Sequence, residues 1–212
     1  MQFDIITLFP NLFDSFVSES LIAKACDKKL VDVRIHNLRD FTNDKHHTAD
    51  DKPYGGGAGM LLKIEPLVTA LKKIKKKRNS RVILLSPAGK QFTQKHATVL
   101  AKKYDQIIFI CGRYEGVDAR IKHYIDELIS VGPYVLNGGE VATMAVIESV
   151  FRLIPDTIGN PESLKDESWN SDTTQEYPQY TRPEVFDGHR VPKVLLSGDH
   201  KKIDEWKRKR TR

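Results

Sequence analysis

Two glycine-rich blocks near the middle of the chain hold the residues best suited to bind a small molecule. ICGRYEGVD covers residues 110–118 and VGPYVLNGGEVAT covers residues 131–143. Each block follows an apolar run of strand character, at residues 106–110 and 127–131. Because glycine lacks a Cβ and adopts positive φ freely, such strand ends let backbone N–H and C=O groups approach a ligand closely. Ordinary turns have a similar composition, but two such blocks at neighbouring strand ends favour two walls of one pocket.

A third polar stretch, HHTADDKPYGGGAG, lies within a long loop predicted over residues 39–59. His46, His47, Asp50 and Asp51 could form a metal cluster, but adjacent histidines in a loop seldom share one ion, so a metal is disfavoured against solvated or substrate-contacting residues. The glycine run at residues 55–59 resembles a hinge or a backbone anion nest, although a flexible surface loop has the same composition.

The motifs of several common enzyme classes are missing from the sequence. The phosphate-binding GxxxxGK[ST] loop does not occur, and no GxGxxG follows the first predicted strand, which disfavours nucleotide hydrolysis and a conventional dinucleotide fold. The GxSxG nucleophile elbow is also absent, which removes the usual α/β-hydrolase reaction.

The elements that position these residues alternate between strand and helix. Strands are expected at residues 3–9, 31–38, 81–90, 106–110 and 127–131, and helices at residues 12–28, 64–77, 93–104, 117–124 and 140–153. This alternation predicts an α/β domain with a mostly parallel sheet over residues 1–155. Residues 156–179 are polar and aperiodic and predict a mobile linker. Residues 180–212 predict a small helical piece that is too small to be stable alone.

Composition restricts the partners and the compartment. The chain has 212 residues, 40% of them apolar, and a formal net charge of +6, concentrated in the basic clusters at residues 71–80 and 200–212. Such clusters suit a polyanionic partner, although many are only solvated helix faces. No apolar run reaches the length of a membrane span and no leader is recognisable, so a cytoplasmic protein without membrane contact is expected. The two cysteines, Cys26 and Cys111, are expected to be buried free thiols.

Eight blocks of the sequence, in order along nearly the whole chain, resemble one family: the bacterial tRNA (guanine-N1)-methyltransferases of the SPOUT class, which modify guanosine 37 beside the anticodon. The blocks are ITLFPNLF, HHTADDKPYGGGAGM, LLSPAGKQFTQ, ICGRYEGVDAR, ISVGPYVLNGGE, FRLIP, YPQYTRPEVFDG and VPKVLLSGDH. The resemblance implies a deep trefoil knot that holds the methyl donor S-adenosylmethionine. It also implies an obligate homodimer with shared active sites, and a C-terminal helical domain that grips tRNA.

Residue by residue, the resemblance implies a donor pocket at three strand ends. Its residues are Leu85, Ser86, Pro87, Gly112, Tyr114, Glu115, Gly116, Val131, Gly132, Pro133, Tyr134, Val135, Leu136, Gly138 and Gly139. The tRNA side would include His46, Asp50, Gly55, Gly57, Gly59 and Arg182. Adenosylmethionine has no phosphate, so backbone groups and an apolar slot suit it better than a basic cradle.

The same resemblance assigns the chemistry to four residues. Arg152 would stabilise charge on the guanine, and Glu115 would contact the base and a required Mg²⁺ ion. The family places an Asp-Ser-Phe base motif where this chain has Glu167-Ser168-Trp169, so Glu167 is favoured as general base and Asp166 is the alternative. Two other functions stay open: methyl transfer to another RNA target by the same fold, and tRNA binding without catalysis, which the missing aspartate motivates.

Overall fold

The computed structural model describes residues 1–159, Trp169 and residues 176–211. The chain divides into two compact units, residues 1–159 and 160–212. The first contains both glycine-rich blocks. Among the described residues, none of the helices is both long and apolar enough to span a bilayer.

Residues 1–159 form an α/β unit with a five-stranded parallel sheet. Its strands, with those of a small separate sheet, are β1 (Gln2–Thr7), β2 (Asp32–Asn37), β3 (Asp50–Asp51), β4 (Leu61–Leu62), β5 (Ser80–Gln91), β6 (Gln106–Cys111) and β7 (Glu127–Ser130). The main sheet has the order β2-β1-β6-β5-β7, and every neighbouring pair is parallel. The predicted α/β class with a mostly parallel sheet is confirmed.

Side chains alternate between two apolar layers, one on each face of the sheet. Within β6, Ile107 and Phe109 belong to one layer and Ile108 and Ile110 to the other. Every residue of β6 and of β1 is buried, because these strands lie inside the sheet and are covered on both faces. Strand β2 lies at the edge and is exposed or half-buried, as its alternating sequence predicts.

Helices cover the sheet and leave the carboxyl ends of its central strands free. They are α1 (Asp14–Ser18), α2 (Ser20–Asp27), α3 (Ile64–Lys73), α4 (Gln94–Lys103) and α5 (Gly139–Phe151). The apolar helix α5 packs in the same layer as Phe3 and Phe109, where Val146, Ile147 and Val150 are buried.

Four predicted elements differ from the observed ones. The helix expected at residues 64–77 ends at Lys73, because Ile74 is extended. The single helix expected at residues 12–28 is a 3-10 helix, Pro10–Phe13, followed by α1 and α2, because Glu19 is extended and Ser20 has a φ of 62°. The helix expected at residues 117–124 is a 3-10 helix, Ala119–His123. The long loop at residues 39–59 contains a short strand, β3, which pairs with β4 in antiparallel fashion.

The described part of the second unit mixes helix and strand. It contains a hairpin of β8 (Val185–Phe186) and β9 (His189–Arg190), a 3-10 helix (Lys193–Leu196) and α6 (His200–Arg210). Tyr177 and Tyr180 lie against Trp206, with ring centroids 6.5 and 6.3 Å away. The piece predicted to be helical therefore also has a strand pair. Most of the predicted linker, including Asp166 and Glu167, lies outside the described residues.

Candidate active site

A cavity of about 670 Å³ lies at an interruption within β5 and at the carboxyl ends of β6 and β7. All the donor-pocket residues expected from the sequence line it except Pro133, which is exposed. The lining residues from those expected are Leu85, Ser86, Pro87, Gly112, Tyr114, Glu115, Gly116, Val131, Gly132, Tyr134, Val135, Leu136, Gly138 and Gly139. The volume lies in the range of small-molecule sites, and the lining combines apolar side chains with exposed backbone.

The first wall is an interruption in β5. Leu85 and Lys90 are both in register with Ile129 of β7, so the residues between them leave the ladder and form the turn at the cavity. A glycine at position 89 allows β5 to pair with β7 again. A Cβ on Gly89 would lie only 2.6 Å from the backbone C and N of Ile129. The backbones of β5 and β7 therefore meet more closely than any larger residue would allow.

The second and third walls are hydrogen-bonded to each other. The amide of Gly139 donates to the carbonyl of Gly112 over 2.9 Å, and Arg113 pairs with Gly138 as an antiparallel bridge. A Cβ on Gly139 would lie 2.8 Å from Cα of Cys111 and 2.9 Å from the amide nitrogen of Gly112. The two glycine-rich blocks thus form one continuous surface, as their spacing predicts.

A buried ion pair supports this junction from behind. Glu140 is fully buried, and its Oε2 lies 2.9 Å from Nε of Arg113 without the alignment of a good hydrogen bond. Its Oε1 accepts a hydrogen bond from the Thr7 hydroxyl over 2.7 Å. The Arg113 guanidinium lies over the Phe9 ring, 4.5 Å from the centroid, so the pair connects β1, β6 and α5.

Neither Arg113 nor Glu140 is among the site residues expected from the sequence. Both stand inside the glycine-rich blocks, but only Arg113 closely follows a strand end. Glu140 is the second residue of α5, ten residues after β7 ends at Ser130, so no local pattern links the two charges.

The thiol of Cys111 lies behind the same wall and is not set up as a nucleophile. Its Sγ is 3.2 Å from the Thr143 hydroxyl, and the residue is buried. Burial, with the Glu140 carboxylate nearby, raises the pKa of the Cys111 thiol far above its ordinary value, which keeps it protonated.

Glu115 lies where the glycine loop meets the cavity. Its amide donates to the carbonyl of Met60 over 3.0 Å, and a Cβ on Gly59 would lie 2.5 Å from the Glu115 Cγ. Asp50 belongs to the small sheet beside this loop, in register with Leu62, whose amide donates to the carbonyl of Gly116 over 3.0 Å. The structure therefore brings Glu115, Gly59 and Asp50 into one region.

Four other predicted site residues of the first unit, His46, Gly55, Gly57 and Arg152, do not line the cavity. His46 is exposed in the loop, where its amide donates to Asp44, and Gly55 and Gly57 have positive φ with open space around them. Arg152 follows the last residue of α5, whereas Gly139 at the cavity is its first. A helix of 13 residues is about 20 Å long, so Arg152 stands far from the cavity of its own chain. Arg182 belongs to the second unit.

No group of three potential metal-ligating side chains occurs among the described residues. Glu115 alone offers a carboxylate at the cavity lining, and Mg²⁺ commonly binds proteins through one or two carboxylates plus water and substrate oxygens. These residues would suit a Mg²⁺ ion that takes one ligand from Glu115 and the others from water and substrate. They would not suit an ion bound by protein side chains alone.

The sheet and the cavity define the class: an α/β protein with a cavity of small-molecule size between three neighbouring parallel strands. Comparison with known proteins then identifies the family. The model of the family described as tRNA (Guanine-1)-methyltransferase TrmD matches residues 1–212, and the chain belongs to this family.

Relatives named tRNA (guanine-N(1)-)-methyltransferase are similar over nearly the whole of this chain and 83–84% of their own length. The protein of Dictyoglomus turgidum is 51% identical over 209 residues, which are 99% of this chain and 84% of the relative. That of Carboxydothermus hydrogenoformans is 51% identical over 212 residues, covering 100% of this chain and 83% of the relative. That of Citrifermentans bemidjiense is 48% identical over 211 residues, covering 99% and 84%.

Proposed function

We propose that this protein is an enzyme that transfers a methyl group from S-adenosylmethionine to N1 of guanosine 37 in tRNA. The observation that carries the proposal is the cavity, where three strand ends bring together all but one of the donor residues expected from the sequence. Family membership over the whole chain supports the same reaction. A cytoplasmic location remains the expectation from the sequence.

The donor would be held mainly by backbone. The turn at Ser86 and the glycines at residues 112, 116, 138 and 139 leave N–H and C=O groups accessible, while Leu85, Val131 and Leu136 form apolar surface for a ring. Bound adenosylmethionine supplies an electrophilic methyl group on a positively charged sulfur. The hydrogen bond from Gly139 to Gly112 would keep the walls of this slot in place.

The protein must also remove a proton, because neutral guanine carries one at N1 and is a poor nucleophile there. A carboxylate within hydrogen-bond reach accepts this proton as the bond between N1 and the methyl carbon forms and the bond between carbon and sulfur breaks. Glu167 is the proposed base and Asp166 the alternative. Arg152 would stabilise the negative charge that develops on guanine O6, and Glu115 would contact the base.

The position of Arg152 supports the proposed homodimer. Within one chain it stands ten residues, about 15 Å along α5, beyond Ala142 of the cavity lining, which exceeds the reach of an arginine side chain. A second chain that places its own Arg152 over this cavity would complete the site. The trefoil knot is proposed on family membership.

One assay tests the reaction. The protein is incubated with labelled adenosylmethionine and tRNA transcripts that carry G or A at position 37, with and without EDTA. We expect label only in the G37 transcript, and loss of activity in EDTA that Mg²⁺ restores. Label in neither transcript would leave the second candidate, a tRNA-binding protein without catalysis, and equal label in both would indicate another target nucleotide.

The base is tested by paired variants. Glu167→Gln should lower the rate of methyl transfer at least about 100-fold while donor binding is retained, since general bases contribute this much. Asp166→Asn is the matched control and should be nearly unaffected. A large loss in Asp166→Asn alone would transfer the role to Asp166.

A further inference from the structure

A dense cluster of positive charge lies at the amino ends of β5 and β6, on the side of the sheet away from the cavity. It comprises Lys75, Lys76, Lys77, Arg78, Lys102 and Lys103, which we call the basic rim. All six residues are exposed, and none forms an ion pair with another residue that the structure describes. The cavity function proposed above does not involve any of them.

Two turns bring the rim together at the amino ends of β5 and β6. The amide of Asp105 donates to the carbonyl of Asn79 over 2.9 Å, and the Asn79 side chain donates to the Asp105 carboxylate over 3.0 Å. Lys77 and Tyr104, at the end of α4, line one small cavity of about 380 Å³. The Lys103 ammonium lies 5.7 Å from the centroid of the Tyr104 ring.

The turn that carries four of these charges is anchored to the protein core. The amide of Lys77 donates to Oε1 of Gln106 over 2.7 Å, and Nε2 of Gln106 lies 3.3 Å from the carbonyl of Lys75. Gln106 is fully buried, and its amide group also donates to the buried Asp4 carboxylate over 2.7 Å. The charged turn therefore has a defined conformation.

A purely structural role explains only part of the rim. Lys102 and Lys103 lie in the last turn of α4, where cations stabilise the helix dipole. Residues 75–78, however, follow the end of α3, whose last helical residue is Lys73, and the dipole effect falls off within the last turn. Four consecutive cations repel one another there, and Asp105 is the acidic residue that contacts this turn within the described residues.

We propose that the basic rim binds the phosphate backbone of tRNA, away from the nucleotide that enters the cavity. This inference rests on the proposed function for the identity of the RNA. Strand β6 has six residues, so its two ends, and with them the rim and the cavity, lie about 17 Å apart along the sheet. Because the rim lies at the opposite ends of these strands from the cavity, the proposal places its contact on a part of tRNA outside the anticodon stem-loop, where it would increase affinity without affecting chemistry.

The test compares two RNAs with two variants of the full chain. In the neutral variant Lys75, Lys76, Lys77 and Arg78 are replaced by Gln; in the matched control the lysines are replaced by Arg and Arg78 by Lys. Binding is measured by fluorescence anisotropy at several salt concentrations, with a full-length tRNA transcript and with the isolated anticodon stem-loop. Thermal unfolding is measured for each protein.

The neutral variant should bind full-length tRNA about 10-fold more weakly at moderate salt, with a slope of log affinity against log salt that is smaller by about 2 to 4. Binding of the stem-loop, the unfolding temperature and kcat at saturating tRNA should be unchanged, and the control should match the wild type. The proposal would be overturned if the neutral variant lost the same affinity for both RNAs. It would also be overturned if the affinity for neither RNA changed, a result that would suit an acidic protein as the partner of the rim. If the wild type binds tRNA through the rim but transfers no methyl group, only the proposed function fails.

Discussion

Arg113 and Glu140 form a polar contact at the cavity wall that a single substitution can test. Arg113→Met leaves the Glu140 carboxylate buried without a positive partner. The free energy of unfolding should fall by about 3 kcal/mol, since removing one member of a buried pair typically costs this much. Urea denaturation at pH 7 measures the change.

The double variant Arg113→Met with Glu140→Met serves as the control. It removes both charges, so most of the lost stability should return. A double variant that is as unstable as the sum of the two single variants would show that the pair is not coupled.

The two cysteines should differ in reactivity because they differ in exposure. Burial raises the pKa of both thiols, and the nearby Asp32 carboxylate adds to the shift at Cys26, whereas Glu140 does so at Cys111. Cys26 is half-buried and should be alkylated slowly by iodoacetamide at pH 8, increasingly so as the pH rises. Cys111 should react only after unfolding. Peptide mass spectrometry follows both sites, and equal reaction rates in the native protein would contradict this expectation.

The residues at the cavity were predictable mainly through the resemblance of eight sequence blocks to one family, because the two glycine-rich blocks by themselves favour only two walls of a pocket. Arg113 and Glu140 were not selected, since their pairing depends on which strands are neighbours. The sequence order of β5, β6 and β7 does not reveal that β1 lies next to β6 and places Thr7 beside Glu140.

At the scale of elements, the junction of α5 with β6 depends on Gly139. Gly139→Ala would add a Cβ that presses on the backbone of Cys111 and Gly112. We expect a loss of donor affinity of at least about 10-fold, measured by calorimetry with adenosylmethionine. Gly159→Ala is the matched control, because a Cβ at that position meets open space. Unchanged donor affinity in Gly139→Ala would indicate that the walls move apart easily.

Strand β1 contains a buried carboxylate that links stability to pH. Burial raises the pKa of Asp4, but hydrogen bonds from His36, Gln106 and Gln2 outweigh it and hold the pKa below its ordinary value. The native pKa is thus lower than the unfolded value of about 3.9, so this stabilisation is complete above that pH and is lost as the pH falls through the native pKa.

Asp4→Asn should therefore be less stable than the wild type at neutral pH, and the difference should shrink below about pH 4. Urea titrations from pH 7 to pH 3 follow both proteins. A constant difference over this range would show that the Asp4 charge does not contribute.

The strands and their burial were predictable from apolar runs, whereas the breaks in helices were not. Residues 12–28 have helical periodicity throughout, yet Ser20 adopts a left-handed conformation that divides the helix. Local periodicity does not report where tertiary packing bends the chain.

At the scale of the whole molecule, the separation of Arg152 from the cavity predicts that two chains complete one site. Neither Gly139→Ala, with a defective donor wall, nor Glu167→Gln, with a defective base, should methylate tRNA efficiently alone. If active sites are shared, mixed dimers contain one intact site and the mixture should regain activity. Measuring methyl transfer after co-refolding tests this; a mixture as inactive as its components would contradict shared sites.

The strand order has a consequence for synthesis of the chain on the ribosome. Strand β1 is apolar and ends up between β2 and β6, yet Gln2 pairs with Gln106, which is translated long afterwards. At a synthesis rate of about 5–20 residues per second, one edge of β1 stays without its partner strand β6 for roughly 5–20 s. During this interval the nascent chain exposes an unpaired apolar strand. We expect chaperones that bind such strands to bind the chain at this stage.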